Sequence, residues 1–142
     1  MASQMLPRVV YEDFFTYEID FAALAPAAQA NGSIQIQADS DFKWLKSAYY
    51  ADIAAAAFTA TTRPIPSVTV QITDGGSGRN LMNQAVPVPS LFGIGELPFI
   101  LPIPRVFKAN STINISVTNF DAAETYNLRM SFIGLKQFYA GQ

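Results

Sequence analysis

The chain has 142 residues, no cysteine, no histidine and a formal net charge of −2, and only 14% of its residues are charged. This composition excludes disulfides and thiolate chemistry and removes the commonest general base and zinc ligand. It also argues against a nucleic-acid partner, which needs a clustered positive surface. The length is typical of a single domain with its own core. The fraction of charged residues is usually about 25%, and the lower value here indicates a chain rich in alanine, a surface that partners cover, or both.

Residues 1–13 carry no strand pattern, and we expect them to form an extended arm ahead of one domain that spans 14–142. They lack the apolar core and the small-residue cleavage site of a signal peptide. No apolar run in the chain has the length of a membrane span. The sequence therefore predicts neither a leader nor a membrane partner.

Apolar and polar residues alternate along much of the remaining chain, which is typical of antiparallel strands with one buried face. Segment 50–58 is the exception and is either a short helix or an alanine-rich loop. Strands are predicted near 14–21, 33–38, 42–50, 67–73, 79–82 or 90–93, 97–107, 112–118 and 125–138. The residues predicted to form the core are Ile34, Ile36, Val68, Val70, Ile72, Ile113, Ile115, Val117, Leu128, Met130 and Phe132.

Three prolines interrupt the apolar run GELPFILPIPRVF at 95–107, and they are Pro98, Pro102 and Pro104. All three share one parity, so in an extended strand their missing N–H donors lie on one side. This pattern predicts an edge strand whose free side resists pairing with another chain. The residues that the opposite parity directs toward the core are Phe99, Leu101 and Ile103.

Together these segments predict an all-β protein, an eight-stranded antiparallel β-sandwich with jelly-roll topology. In a jelly roll the second, fourth, fifth and seventh strands share one sheet. The outward residues of that sheet would be serine, threonine, asparagine and glutamine, with almost no charge. In the last strand the apolar parity changes near Gly134, which predicts a bulge or bend there.

Few motifs in the sequence suggest chemistry. The glycine-rich segment ITDGGSGRN at 72–80 lacks the Gly-Lys-Ser/Thr ending of a phosphate-binding loop, so it is interpreted as a turn, with a weak anion or ligand contact through Arg79 as the alternative. Asp39 and Asp41 are too few for a calcium loop. Trp44 is interpreted as a core residue, with stacking on a sugar ring as the alternative.

Glycoside hydrolysis needs two carboxylates in one cleft, and nothing in the sequence brings such a pair together. The pairs considered are Glu18 with Asp20 and Glu96 with Glu124. We therefore predict that the protein is not an enzyme and that it has no catalytic residue, no cofactor and no metal site.

Residues 69–138 resemble small virion proteins of tailed bacteriophages that decorate or cement the capsid. The resemblance lies in LPFILP at 97–102, the pair Arg105 and Phe107, the NST turn at 110–112, and LRMSFIGLK at 128–136. It covers the carboxyl-terminal half of the chain, and the amino-terminal half matches in pattern only. The family brings no catalytic residues.

The resemblance implies a structural virion protein: a jelly-roll subunit, present in many copies on the capsid exterior, that binds the major capsid protein lattice and stabilises the shell. The alternative is a phage tail, baseplate or fibre adaptor, or a β-sandwich module that binds a receptor or a glycan. The low charge and leftover apolar residues further predict a closed homo-oligomer, a dimer or a trimer. The residues predicted to contact partners are Arg8, Val10, Tyr11, Arg79, Leu91, Phe92, Ile94 and Phe138.

Overall fold

A computed structural model describes residues 9–53 and 64–139, and within those ranges the side chains from Tyr11 onward. The regular secondary structure of this part of the chain is almost entirely β. The strands are β1 (Val9–Leu24), β2 (Gln29–Gln35), β3 (Asp41–Ile53), β4 (Val68–Asp74), β5 (Arg79–Asn80), β6 (Val86–Pro87), β7 (Phe99–Phe107), β8 (Thr112–Asn119) and β9 (Tyr126–Tyr139), and the one-turn helix α1 is Val88–Leu91.

The strands form two antiparallel sheets that pack as a sandwich. The four-stranded sheet has the order β1-β9-β3-β7, and the five-stranded sheet has the order β2-β8-β4-β5, with β6 also paired to β4. The predicted all-β antiparallel sandwich is confirmed, with nine strands instead of eight. The count differs because the predicted fifth strand is two short pieces, β5 and β6, and because 88–91 is helical. Pro89 lies in the first helical turn, where a missing N–H costs nothing.

The core lies between the two sheets, and all eleven residues predicted to form it are buried. An aromatic group fills one end. The ring of Trp44 lies 4.9 Å from that of Phe132 and 6.0 Å from that of Phe107, and the Trp44 Nε1–H donates to the carbonyl of Lys46 at 2.7 Å. Trp44 is therefore a satisfied core residue, and its ring faces are covered by neighbouring rings and not open to a sugar.

The start of β1 corrects the predicted arm. Val9 pairs with Tyr139 and Asp13 pairs with Lys136, so residues 9–13 extend the first strand, whose onset was predicted at Phe14. The alternation ahead of Phe14 is weak, and pairing with the long strand β9 overrides it. Residues 1–8 lie outside the described part of the chain. The same holds for 54–63, which includes most of the segment left open between helix and loop.

A β-bulge occurs at the level of Gly134, as predicted, but its extra residue belongs to β3 and not to β9. Between Trp44 and Lys46 the register shifts against β9, so Leu45 is the extra residue opposite Gly134. A Cβ at Gly134 would overlap the carbonyl oxygen of Lys43. The even-numbered side chains of β9 face the core along its whole length up to Lys136, so the strand keeps one inward parity.

Lys136 is tolerated on the inward face because its ammonium group has partners. Its Nζ lies 3.0 Å from Oδ2 of Asp39, donates to Gln37, and lies 4.2 Å from the ring centre of Phe15. A cation at the end of the core with an ion pair and an aromatic face can replace an apolar side chain. The apolar parity changes in the sequence because Ile133 and Leu135 are aliphatic, yet both lie on the outward face of β9, where they are half-buried.

Among the strands of residues 9–53 and 64–139, β7 pairs only with β3, so the predicted edge strand is confirmed. Its register is broken: Arg105 pairs with Trp44 and Ile100 pairs with Lys46, which leaves residues 101–104 opposite the single residue Leu45. These four residues bow away from β3, so the prolines in the bow remove no hydrogen bond of the sheet.

The bow also corrects the predicted core assignment for this segment. Simple alternation fails across it, and Ile103 is 81% exposed instead of buried, while Phe99 and Leu101 are half-buried. Alternation between buried and exposed side chains continues along a strand only while each residue pairs with one residue of the neighbouring strand.

The loop between β8 and β9 is organised by the carboxylate of Asp121. Its oxygens accept hydrogen bonds from the backbone N–H groups of Ala123 at 2.8 Å and Glu124 at 3.0 Å, and from the Tyr126 hydroxyl at 2.9 Å. These bonds, with that from Ala123 the largest cause, hold the pKa of Asp121 below its ordinary value of 3.8.

This geometry predicts a pH-dependent contribution to stability. A carboxyl with a lowered folded-state pKa stabilises the fold above its unfolded pKa, and the contribution is lost as the pH falls through the folded value. The difference in denaturation midpoint between the native chain and Asp121→Asn should be largest above pH 3.8 and should narrow on further acidification. Urea melts across a pH series measure this, and a difference that stays constant would show that the carboxylate charge is not what organises the loop.

Candidate functional site

The described residues hold no group of three or more side chains that could bind a metal ion, and no helix among them is long and apolar enough to cross a membrane. Two of the acidic residues considered from the sequence, Glu18 and Glu96, line one groove of about 440 Å3 near Arg129. The carboxylate pairs considered from the sequence were different ones, Glu18 with Asp20 and Glu96 with Glu124. The feature that stands out is instead a set of exposed apolar side chains.

These side chains lie along the free edge of the four-stranded sheet. Leu97, Ile100 and Ile103 are 76%, 67% and 81% exposed, and Val106 follows at the same spacing of three residues. We call these four residues the apolar edge. Large aliphatic side chains this exposed in a row are unusual on a monomeric surface and are typical of an interaction site.

The apolar edge is held by a well-anchored turn. Gly93 donates its N–H to the carbonyl of Ser47 at 3.2 Å and accepts from the N–H of Tyr49 at 2.7 Å. A third bond, from Leu97 N–H to the carbonyl of Ile94 at 3.0 Å, closes the turn. Phe92 secures its base, because the ring lies 5.5 Å from that of Phe132 in the core.

The outward face beside this edge is also partly apolar. Two cross-strand rows run from β1 through β9 and β3 to β7, and the register places them as Phe14–Leu135–Lys43–Val106 and Thr16–Ile133–Lys46–Ile100. Phe14 is exposed, and Leu135 and Ile133 are half-buried. The apolar edge therefore continues into a wider surface on which two lysines stand among aliphatic groups.

The outward face of the five-stranded sheet has the opposite character. The register places Asn31, Ser116 and Gln71 in one row and Ser33, Asn114 and Thr73 in the next. The uncharged surface predicted from the sequence is confirmed. It contains a shallow groove of about 360 Å3 lined by amide and hydroxyl groups.

An ion pair joins the two sheets behind the apolar edge. Nη2 of Arg105 lies 2.9 Å from Oδ2 of Asp74 and 3.4 Å from the hydroxyl of Ser77. Beside it a groove of about 480 Å3 opens between β7 and the segment after β5. Arg79 and Leu91 line this groove, so two of the predicted contact residues come together there.

The other predicted contact residues are dispersed. Tyr11 is exposed, and its ring lies 5.5 Å from that of half-buried Phe138 at the far side of the sheet. Ile94 is exposed at the turn before β7. Phe92 was predicted to contact a partner, and this is wrong, because the ring is fully buried. Arg8 and the side chain of Val10 lie outside the described part of the chain.

Sequence reasoning missed the apolar edge itself, although a signal was present. Leu97, Ile100, Ile103 and Val106 recur every third residue among prolines, whereas a regular strand alternates every second residue. Reading the segment as period two directed Ile103 inward. A spacing of three between prolines would have suggested an irregular, exposed strand.

No family model matches the sequence, and no curated protein matches it either. Among solved structures, the chain is similar to the crystal structure of the infectious bursal disease virus VP2 subviral particle, with 12% sequence identity and a TM-score of 0.39. The match covers 94% of this chain and 34% of that one, so the chain spans about a third of the length of that structure.

Proposed function

We propose that the chain is a structural virion protein that decorates and stabilises the capsid shell of a tailed bacteriophage from the outside, without catalytic activity. Its partner is the lattice of the major capsid protein, to which it binds as a closed homo-oligomer. The fold proposed with this role is a jelly roll. Consecutive long strands that alternate between the two sheets, as β1, β2, β3 and β4 do and as β7, β8 and β9 do, support it.

The observation that carries the proposal is the apolar edge. Fully burying a leucine or isoleucine side chain contributes about 1.5–3 kcal/mol of favourable free energy. Three such side chains of the apolar edge are 67% to 81% exposed in the free chain. The prolines of β7 prevent a partner from adding a strand here, so contact is made by side chains. Modest binding per subunit gives firm attachment when it is repeated over a lattice.

The test measures attachment of the purified chain to emptied capsids. Ile100→Asp together with Ile103→Asp should remove attachment and abolish any rise in the temperature at which filled particles burst. The reason is that charges then replace aliphatic groups that attachment would bury. Ser33→Asp with Asn114→Asp, on the uncharged face, is the matched control and should attach normally. Free shell subunits should bind poorly, because each presents only part of the site.

Two results would overturn the proposal. One is native protein that neither attaches to capsids nor changes their stability. The other is attachment that survives the two aspartates on the apolar edge but fails with the two on the uncharged face.

The first of these results would favour the alternative, an adaptor or a receptor- or glycan-binding module. The groove between Asn31, Gln71 and Asn114 supports that alternative, because amide and hydroxyl groups without charge suit the hydroxyl groups of a neutral sugar. Glycan binding by the native chain, lost in Asn114→Asp and kept in the apolar-edge variant, would establish it.

A further inference from the structure

The charges of the four-stranded sheet are separated from one side to the other. Strand β1 carries four acidic residues and no basic one. Glu12, Glu18 and Asp20 project from its outward face, and Asp13 is exposed on the opposite parity. Only Asp20 has a cationic partner among the described residues, Arg129 at 3.7 Å. The β1 side therefore presents a row of acids around the exposed ring of Phe14.

The opposite side of the same sheet is basic. Five of the nine lysines and arginines lie at or beside β7. They are Lys43, Lys46, Arg79, Arg105 and Lys108. Lys43 and Lys46 stand directly beside Val106 and Ile100 in the cross-strand rows, and within the described ranges neither has an ion-pair partner.

We propose that the acidic β1 side of one copy of this chain binds the basic β7 side of the next copy, in a head-to-tail contact. In it, Glu12 and Glu18 meet Lys43 and Lys46, and the Phe14 ring packs on the methylene groups of those lysine side chains. Such a contact uses two different surfaces on each copy, so it repeats and closes into a ring when its rotation permits.

The two symmetric contacts are disfavoured by the same charges. Pairing β1 with β1 sets glutamates and aspartates against one another, and pairing β7 with β7 sets lysine against lysine. The prolines of β7 also prevent a continuous sheet from forming across the contact, so side chains and not backbone groups make it. This inference rests on the charge distribution within the chain and not on capsid attachment, and it is tested without capsids.

The experiment is analytical ultracentrifugation of the purified full chain and two charge-reversed variants. The acid-reversed variant is Glu12→Lys with Glu18→Lys, and the base-reversed variant is Lys43→Glu with Lys46→Glu. Each alone should weaken self-association by about tenfold or more, because like charges then face each other across the contact. An equimolar mixture of the two should associate again, because each reversed side meets its complement.

Gln35→Glu with Gln71→Glu, on the uncharged face, is the control and should associate like the native chain. Circular dichroism and melting show whether each variant is folded, and association of the native chain should weaken as salt is added. A native chain that stays monomeric at the highest concentration reached overturns the proposal. So does an acid-reversed variant that associates normally, since that points to a symmetric contact through β7, and so does a mixture that does not recover.

Discussion

Replacing Ile115 with alanine is expected to lower the free energy of unfolding by about 2–5 kcal/mol. Its side chain is buried at the centre of β8, in a row between Gly32 of β2 and Ile72 of β4. The four-stranded sheet packs over this position from across the core, so the surroundings have little freedom to close the cavity that the substitution leaves. Denaturant melts of the folded domain measure the loss.

The neighbouring residue provides the control. Ser116 lies on the outward face of the same strand, where its hydroxyl accepts a hydrogen bond from Gln29 at 2.9 Å. Ser116→Ala should change stability by no more than about 0.5 kcal/mol, as surface substitutions usually do. Equal effects at 115 and 116 would mean that β8 is rotated or shifted in register relative to the sandwich described here.

The core was predictable because it depends on local alternation. At 68–73 of β4 and 112–118 of β8, every second residue is a β-branched aliphatic, and the residues between them are threonine, serine, asparagine or glutamine. A one-residue slip would bury the polar set, so the pattern fixes both the face and the register. The same argument holds for Leu128, Met130 and Phe132 in β9.

The remaining features depend on contacts between distant parts of the chain. Phe92 looks like a loop residue in sequence, yet its ring is buried because the turn at Gly93 bridges to β3 and carries the ring between the sheets. Ile103 follows the apolar parity of its neighbours, yet it is exposed because Leu45 alone faces four residues of β7. The buried position of Phe92 has no signature within its own segment, and the spacing of three in β7 indicates an irregular strand without identifying Leu45 as its partner.

The separation of charge across the four-stranded sheet was hidden for a similar reason. Glu18 and Lys46 are 28 positions apart in the sequence, and both lie in segments of mixed composition. Only the strand order β1-β9-β3-β7 places the acids on one side and the lysines on the other. A surface property of a sheet requires the order of its strands, and local patterns do not supply that order.

Replacing Gly93 with alanine should damage both the fold and the apolar edge. A Cβ at this position would overlap the carbonyl oxygen of Leu97 and would lie 2.6 Å from the backbone nitrogen of Phe99. Both obstacles are backbone atoms, so the turn and the start of β7 must move. Overpacking of this kind costs about 1–3 kcal/mol, and the displaced segment carries Leu97 and Ile100. We expect a lower denaturation midpoint together with weaker attachment to emptied capsids.

Gly95, two residues further along the same turn, is the matched control for this prediction. A Cβ there would meet no atom within 4 Å, so Gly95→Ala should leave stability within about 0.5 kcal/mol of the native value and attachment unchanged. If Gly93→Ala melts like Gly95→Ala, the close approach of the turn to β7 is not part of the folded state. If Gly93→Ala is destabilised but attaches to capsids as well as the native chain, residues 97–100 do not make the contact. The apolar edge would then have to be assigned to another partner, of which a second copy of this chain is the first to test.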